Sequence, residues 1–284
     1  MRVRLDFAYD GTDFSGWARQ PGQRTVEQEM TSGLTTVLRE MPSLTVGGRT
    51  DAGVHARGAV AHFDVSSQVW GAIPGRSDRD PGVALVTRLR GVLPADIVVR
   101  SATPVPEAFD ARFSALRRHY SYRIADRAQL LDPLRRRDTV IAHRTLEVDA
   151  MDQAAKSLQG LRDFGAFCKS RDGATTIRTL LEYRWRRHED GTLIGTVVAD
   201  AFCHHMVRSL VGGVLVVGEG RRSATWLTEV LATGVRDPWT QVMPARGLCL
   251  ERIDYPDGED ALLSRDQESR AVRTLPAGVR RSPR

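Results

Sequence analysis

Gly48-Arg49-Thr50-Asp51-Ala52-Gly53-Val54-His55-Ala56 sets one carboxylate in a run of small residues between two segments of strand character. The segment before it, Ser43 to Val46, is short and rich in β-formers. The segment after it, Arg57 to Val65, alternates Ala59, Ala61, Phe63 and Val65 with Val60, His62 and Asp64, the two-residue period of a strand. A tight loop between strands presents its side chains at a sheet edge, where chemistry is commonly placed. Gly47, Gly48 and Gly53 permit backbone angles and close approaches that larger residues resist. By residue type alone, Asp51 reads either as a working carboxylate or as a turn residue bonded to its own backbone.

Moving outward, Val3, Leu5, Phe7 and Tyr9 alternate with Arg2, Arg4 and Asp6 as in a half-buried strand. Thr25 and Gln28 make a capping-box pattern, and Val26, Met30, Leu34 and Leu38 follow at helical spacing. Val83 to Leu93 reads as a second helix and Ile97 to Val105 as a strand, which completes a β-α-β-β-α-β order. The same order repeats downstream. It runs through a strand at Ser114 to Ile124, a helix at Met151 to Leu161 and strands at 177–187 and 192–201 about the turn Asp190-Gly191. Helices at His205 to Val217 and Thr225 to Leu231 and a strand at Leu248 to Tyr255 complete it. The expectation is an α+β fold of two ferredoxin-like units, residues 1–108 and 109–256, forming a largely antiparallel sheet with helices packed behind it. Gly75 to Gly82 reads as a mobile loop and 257–284 as a basic, disordered tail.

The string Gly-Arg-Thr-Asp-Ala-Gly-Val-His resembles the signature of the tRNA pseudouridine synthase A family. Four further segments resemble that family's motifs in order: Tyr9-Asp10-Gly11-Thr12 with Phe14, Gly16 and Trp17; Phe109 to Ala115 with Tyr120 and Tyr122; Ala201 to Arg208 with Gly212; and Gly247 to Leu250 with Asp254-Tyr255-Pro256. The resemblance implies the pseudouridine synthase fold and isomerisation of uridine in the anticodon stem-loop of tRNA, at positions 38 to 40. It also implies no cofactor, no metal and a homodimer. Ala18, and Ala59 in Gly58-Ala59-Val60, stand where the family has glutamine, so two amide contacts are in question.

That chemistry gives the residues their expected roles. The resemblance makes Asp51 the nucleophile, attacking C6 of the base or acting at C1′, since a carboxylate can form a covalent link and leave again. Arg208 lies on a helix whose apolar stripe is Met206, Leu210, Val214 and Val217, and shares another face with His204, a further substrate-binding candidate. A charge on such a helix needs a partner; that is either Asp51 or an ordinary salt bridge. Tyr120 and Tyr122 share a strand face; Tyr120 matches the family's motif tyrosine and is expected to stack on uracil from the open face, with Tyr122 in the core. Arg49 is expected to hold a phosphate or fill the place of the extruded base, and Leu248, or Leu250, to touch the uracil. Asp10 and Asp13 read as turn-formers.

The chain has 284 residues, 41% of them hydrophobic, and a net charge of +6, enough for two cores and compatible with RNA. Lysine occurs only at Lys156 and Lys169, so the basic side chains are nearly all arginine. Cys168, Cys203 and Cys249 suggest no disulfide framework and fit a reducing cytoplasm. Leu210 to Val217 is too short to span a bilayer, so no membrane is expected. His55, His62 and Asp64, or Cys203-His204-His205, lack metal-site spacing. A catalytically silent RNA-binding or RNA-folding module on the same scaffold, or a synthase for another RNA, is the alternative.

Overall fold

The computed structural model describes residues 1–126, 131–169, 175–271 and 273–275. In chain order the first elements are β1 (Arg2–Tyr9), α1 (Val26–Leu38), β2 (Thr45–Val46), β3 (His55–Asp64), α2 (Ser67–Ala72), α3 (Pro81–Val92) and β4 (Ile97–Val105). There follow β5 (Arg117–Ala125), β6 (Val140–Ile141), α4 (Val148–Ser157), β7 (Gly160–Asp163), β8 (Ile177–Arg187) and β9 (Leu193–Ala199). The last are α5 (Met206–Gly218), α6 (Ala224–Thr233), β10 (Leu248–Asp254) and α7 (Glu259–Arg270). The chain is thus α+β, and it forms two compact units: Met1–Leu116 with Leu250–Ala271, and Arg117–Cys249 with the described residues 273–275.

In the first unit the strands run in the order β4-β1-β3-β10, with β2 on β3; β1 is antiparallel to both β3 and β4. Val3, Leu5, Phe7 and Tyr9 all point into the core, as the alternation predicts. Thr25 caps α1 by accepting from Gln28 N, and Val26, Met30, Leu34 and Leu38 form its buried stripe. β3 is covered on both faces: Val60 and His62 are as buried as Ala59, Ala61 and Phe63. The reason is the 106–116 segment, whose Ala111 N donates to His62 Nδ1 at 3.0 Å while Tyr255 Oη donates to Ala111 O at 2.6 Å. Burial, with the nearby charge of Arg2, lowers the His62 pKa, which suits an imidazole that accepts there.

These contacts displace the expected boundary from 108/109 to 116/117. β10 returns to β3, where a Cβ at Gly58 would lie 2.3 Å from Glu251 O. The expectation of disorder from 257 on is corrected for 259–270, where α7 buries Leu262 and Arg265 Nε donates to Ala115 O at 3.0 Å. Arg270 lies over the Phe113 ring at 3.9 Å. Residues 276–284 of that expected tail lie outside the described residues. Within the expected Gly75 to Gly82 loop, Pro81 and Gly82 already belong to α3, whose cap is Asp80.

The second unit orders its strands β5-β9-β8-β7, antiparallel throughout, with β6 parallel to β5. β5 starts at Arg117, three residues later than expected, because Asp110 and Ser114 still form a turn with Ser114 N bonded to Asp110 O. The helix expected over Met151 to Leu161 stops at Ser157, and Gly160, at φ +106, opens β7 instead. α5 is buried almost all round, Arg208 and Leu215 being the half-buried exceptions. A Cβ at Gly212 would stand 1.9 Å from Gln241 O, so this helix rests directly on another backbone. Among the described residues no helix is long and apolar enough to cross a membrane.

Candidate active site

In the first unit the loop carrying Asp51 is held by the segment that follows β1. Tyr9 Oη bonds Thr50 Oγ1 at 2.7 Å, Trp17 N donates to Thr50 O at 3.0 Å, and Gly53 N donates to Phe14 O at 3.2 Å. The loop closes on itself with Val54 N to Asp51 O at 3.1 Å, and Gly11 N donates to His55 Nδ1 at 3.0 Å. Two glycines make the approach possible. A Cβ at Gly11 would sit 2.0 Å from Val54 O, and Gly16, at φ +94, would place one 2.9 Å from Thr50 O. Trp17 and Phe14 seal the underside, at 2% and 3% exposure. Asp51 itself is half-buried, and Arg49 is exposed on the same loop.

The Tyr9–Trp17 segment is therefore a clamp on the carboxylate loop, a role its residue types did not disclose. The signal available was the pair of glycines spaced among large apolar residues. Asp10 does form a turn, its Oδ1 accepting from Thr12 N at 3.0 Å and Thr12 Oγ1 at 2.6 Å. Ala59 is fully buried opposite Phe7, so that departure lies inside the core.

In the second unit, Arg208 is the sole charge on α5, and its Nε donates to Met243 O at 2.6 Å while Met243 N donates back to Arg208 O at 3.2 Å. This reciprocal pair fixes the side chain's stem to the 243 backbone. The helical kinship expected between His204 and Arg208 is corrected: α5 begins at Met206, and His205 before it is left-handed at φ 66. His204 lies in the preceding turn and is exposed, its ring 3.9 Å from that of His205.

Tyr120 and Tyr122 do share one face of β5, but it is the packed face rather than an open one. They stand opposite Val197 and Gly195 of β9, in line with Tyr183 and Trp185 of β8, all buried or covered. Trp185 lies on Gly195, where a Cβ would meet its ring at 2.6 Å. Tyr120 keeps 7% exposure and meets Phe202 edge-on, ring centroids 5.1 Å apart. Tyr122 is wholly buried, donates to Pro244 O at 2.7 Å, and has its pKa raised by burial. Leu248 and Leu250 are both buried, at 6% and 0%.

The cysteines depart from expectation. Cys168 and Cys203, 35 residues apart in sequence, form a disulfide with Cα atoms 5.8 Å apart. Folding brings them together across a distance that spacing alone does not reveal. Cys249 is buried.

The sequence profile of a family described as tRNA pseudouridine synthase matches residues 154–256. A tRNA pseudouridine synthase A of Streptomyces griseus is 52% identical over 97% of this chain and 95% of its own length. The enzyme of the same name from Streptomyces avermitilis is 50% identical over 98% and 95%. That from Leifsonia xyli is 51% identical over 96% and 98%.

Proposed function

The chain belongs to the tRNA pseudouridine synthase A family, and from that premise we propose how its residues convert uridine to pseudouridine in tRNA. The enzyme is an isomerase. Its reaction breaks the N1–C1′ glycosidic bond, turns the uracil, and forms a C5–C1′ bond. A proton leaves C5 and N1 takes one up, so atoms balance without a second substrate.

Asp51 is the nucleophile in this reading, acting at C6 of the base or at C1′. What supports it is the clamp: a half-buried carboxylate on a loop whose backbone is fixed by Tyr9, Gly11, Phe14, Gly16 and Trp17. A nucleophile must meet a turned-out base in one geometry, and a fixed backbone removes the cost of finding it. Arg208, anchored through Met243, is the cation this reading assigns to the carboxylate as its partner. Tyr120, buried except for a small exposed part and braced by Phe202, contacts the extruded uracil at that exposed part and assists removal of the C5 proton. Leu248 gives the base an apolar wall, and His204 and Arg49, both exposed, reach the flanking nucleotides.

The substrate site is the anticodon stem-loop, at positions 38 to 40, and the working enzyme is a cytoplasmic homodimer that needs no cofactor. The test is single-turnover conversion of an unmodified tRNA transcript by wild type and Asp51→Ala, with modified positions mapped by carbodiimide and primer extension. We expect pseudouridine confined to the anticodon arm, at least about 10⁴-fold slower conversion in the variant, and retained tRNA binding. Full turnover by Asp51→Ala would remove the nucleophile assignment, and modification elsewhere would remove the anticodon assignment.

A further inference from the structure

A second cluster in the Arg117–Cys249 unit has a different composition from the catalytic set. Arg118 on β5, Arg178 on β8 and Arg273 gather about the end of β9. Arg118 Nη1 donates to Asp200 O at 2.7 Å, and Arg273 Nη1 lies 2.9 Å from Asp200 Oδ2. The other oxygen of that carboxylate is occupied by backbone, accepting from Thr179 N at 3.1 Å and Ala201 N at 2.7 Å. Arg178 and Arg273 both point a nitrogen at one carbonyl, Ile177 O, at 2.6 and 3.4 Å.

Arg178 is the anomaly. Among the described residues its guanidinium has no carboxylate within salt-bridge distance, and its Nε is buried without a hydrogen-bond partner. Burial first, and then the charge of Arg273, pulls its pKa down to about 10. Asp163, the other carboxylate nearby, already accepts from Gly165 N and Thr176 Oγ1. A half-buried cation with a buried, unpartnered Nε beside like charges is destabilised unless an anion joins it. Guanidinium forks fit phosphate oxygens better than any other common anion on a nucleic acid.

We propose that Arg118, Arg178 and Arg273 form a seat for one backbone phosphodiester of the bound tRNA, separate from the residues that act on the uridine. The proposal rests on tRNA being the substrate. Arg178 supplies the unspent donors, Arg273 adds a second fork that is 21% exposed, and Arg118 braces Asp200 so that the cluster stays ordered empty.

The experiment is filter binding of an unmodified tRNA transcript to full-length wild type, Arg178→Gln, Arg178→Lys and Arg273→Gln, from about 50 to 200 mM KCl. Arg178→Gln should weaken binding about tenfold at 100 mM and reduce the slope of log Kd on log salt by about 0.7–0.9, the loss of one phosphate contact. Arg273→Gln should weaken it about threefold with a smaller change of slope. Arg178→Lys should recover the slope but only part of the affinity, having the charge without the fork. Should Arg178→Gln not fold, Arg273→Gln decides alone, because its side chain is partly exposed. Wild-type slopes in both glutamine variants, beside a wild type that binds and converts the transcript, overturn the seat alone. A wild type that neither binds nor converts tRNA overturns the functional reading and the seat with it.

Discussion

Replacing Gly11 by alanine tests whether the clamp sets the position of Asp51. The added Cβ would lie 2.0 Å from Val54 O, 2.5 Å from Val54 C and 3.2 Å from His55 N, all backbone atoms that cannot swing aside. A carbon approaching a carbonyl oxygen settles at about 3.3 Å. The strand end and the loop must therefore separate by roughly 1.3 Å, starting from that contact distance. Val54 N is bonded to Asp51 O, so the displacement passes directly to Asp51, the proposed nucleophile. A misplacement of about 1 Å costs on the order of 10²-fold in rate, which is about 2.7 kcal/mol of activation free energy. Overpacking should also cost about 1–3 kcal/mol of stability. The assay is single-turnover tritium release from tRNA carrying [5-³H]uridine, run well below the melting temperature, with binding measured on the same preparations. We expect about a hundredfold slower release with tRNA affinity within about threefold of wild type. Gly91→Ala, at a helical glycine with open space around it, is the control and should match wild type. A Gly11→Ala enzyme that releases tritium within threefold of the wild-type rate refutes the clamp.

Two further predictions concern stability. Asp126, whose side chain is fully buried, receives both Nη groups of Arg187 at 2.9 and 2.8 Å, and that bidentate bond holds its carboxyl below the usual range. A depressed folded pKa gives stability that is present above the unfolded value of about 4 and lost as pH falls below it. Asp126→Asn should thus cost about 2 kcal/mol at neutral pH and flatten the fall in melting temperature below about pH 4; equal acid profiles for the two proteins would refute this. Leu262→Ala should cost about 2 kcal/mol and speed proteolytic cleavage within 259–270, whereas unchanged melting would mean that α7 contributes nothing to the fold.

Long elements with a clean period were legible from residues alone. α1 has its cap at Thr25 and four apolar positions at helical spacing, and β1 and β4 alternate or end as their residues require. Legibility failed where tertiary contact outweighed pattern. Leu158 and Leu161 continue the helical spacing of α4, yet Gly160 adopts an angle that ends it. α7 has little apolar periodicity; Leu262 is buried, and Arg265 and Arg270 find partners in the 110–115 region that local sequence does not announce. α2 is only six residues long and rests on its Ser66 cap. Asp51 was conspicuous because an eight-residue string surrounds it, whereas the clamp around it and the arginines near Asp200 are assembled from segments far apart in the chain. The face of Tyr120 was misjudged because alternation says which residues share a side, not which side is covered.

The first unit is made of residues from both ends of the sequence, with β10 closing against β3. During translation, residues 1–116 emerge first but wait for the strand that completes their sheet until the whole second unit has been made. At about 5–20 residues per second that interval lasts several seconds or more, with the part of the β3 edge that β10 covers unpaired throughout. A nascent chain stopped before residue 250 keeps that edge open for good. The interleaving therefore makes an interrupted product recognisable: it presents a sticky strand to chaperones and proteases, and only a chain read through to its last strand can hide it.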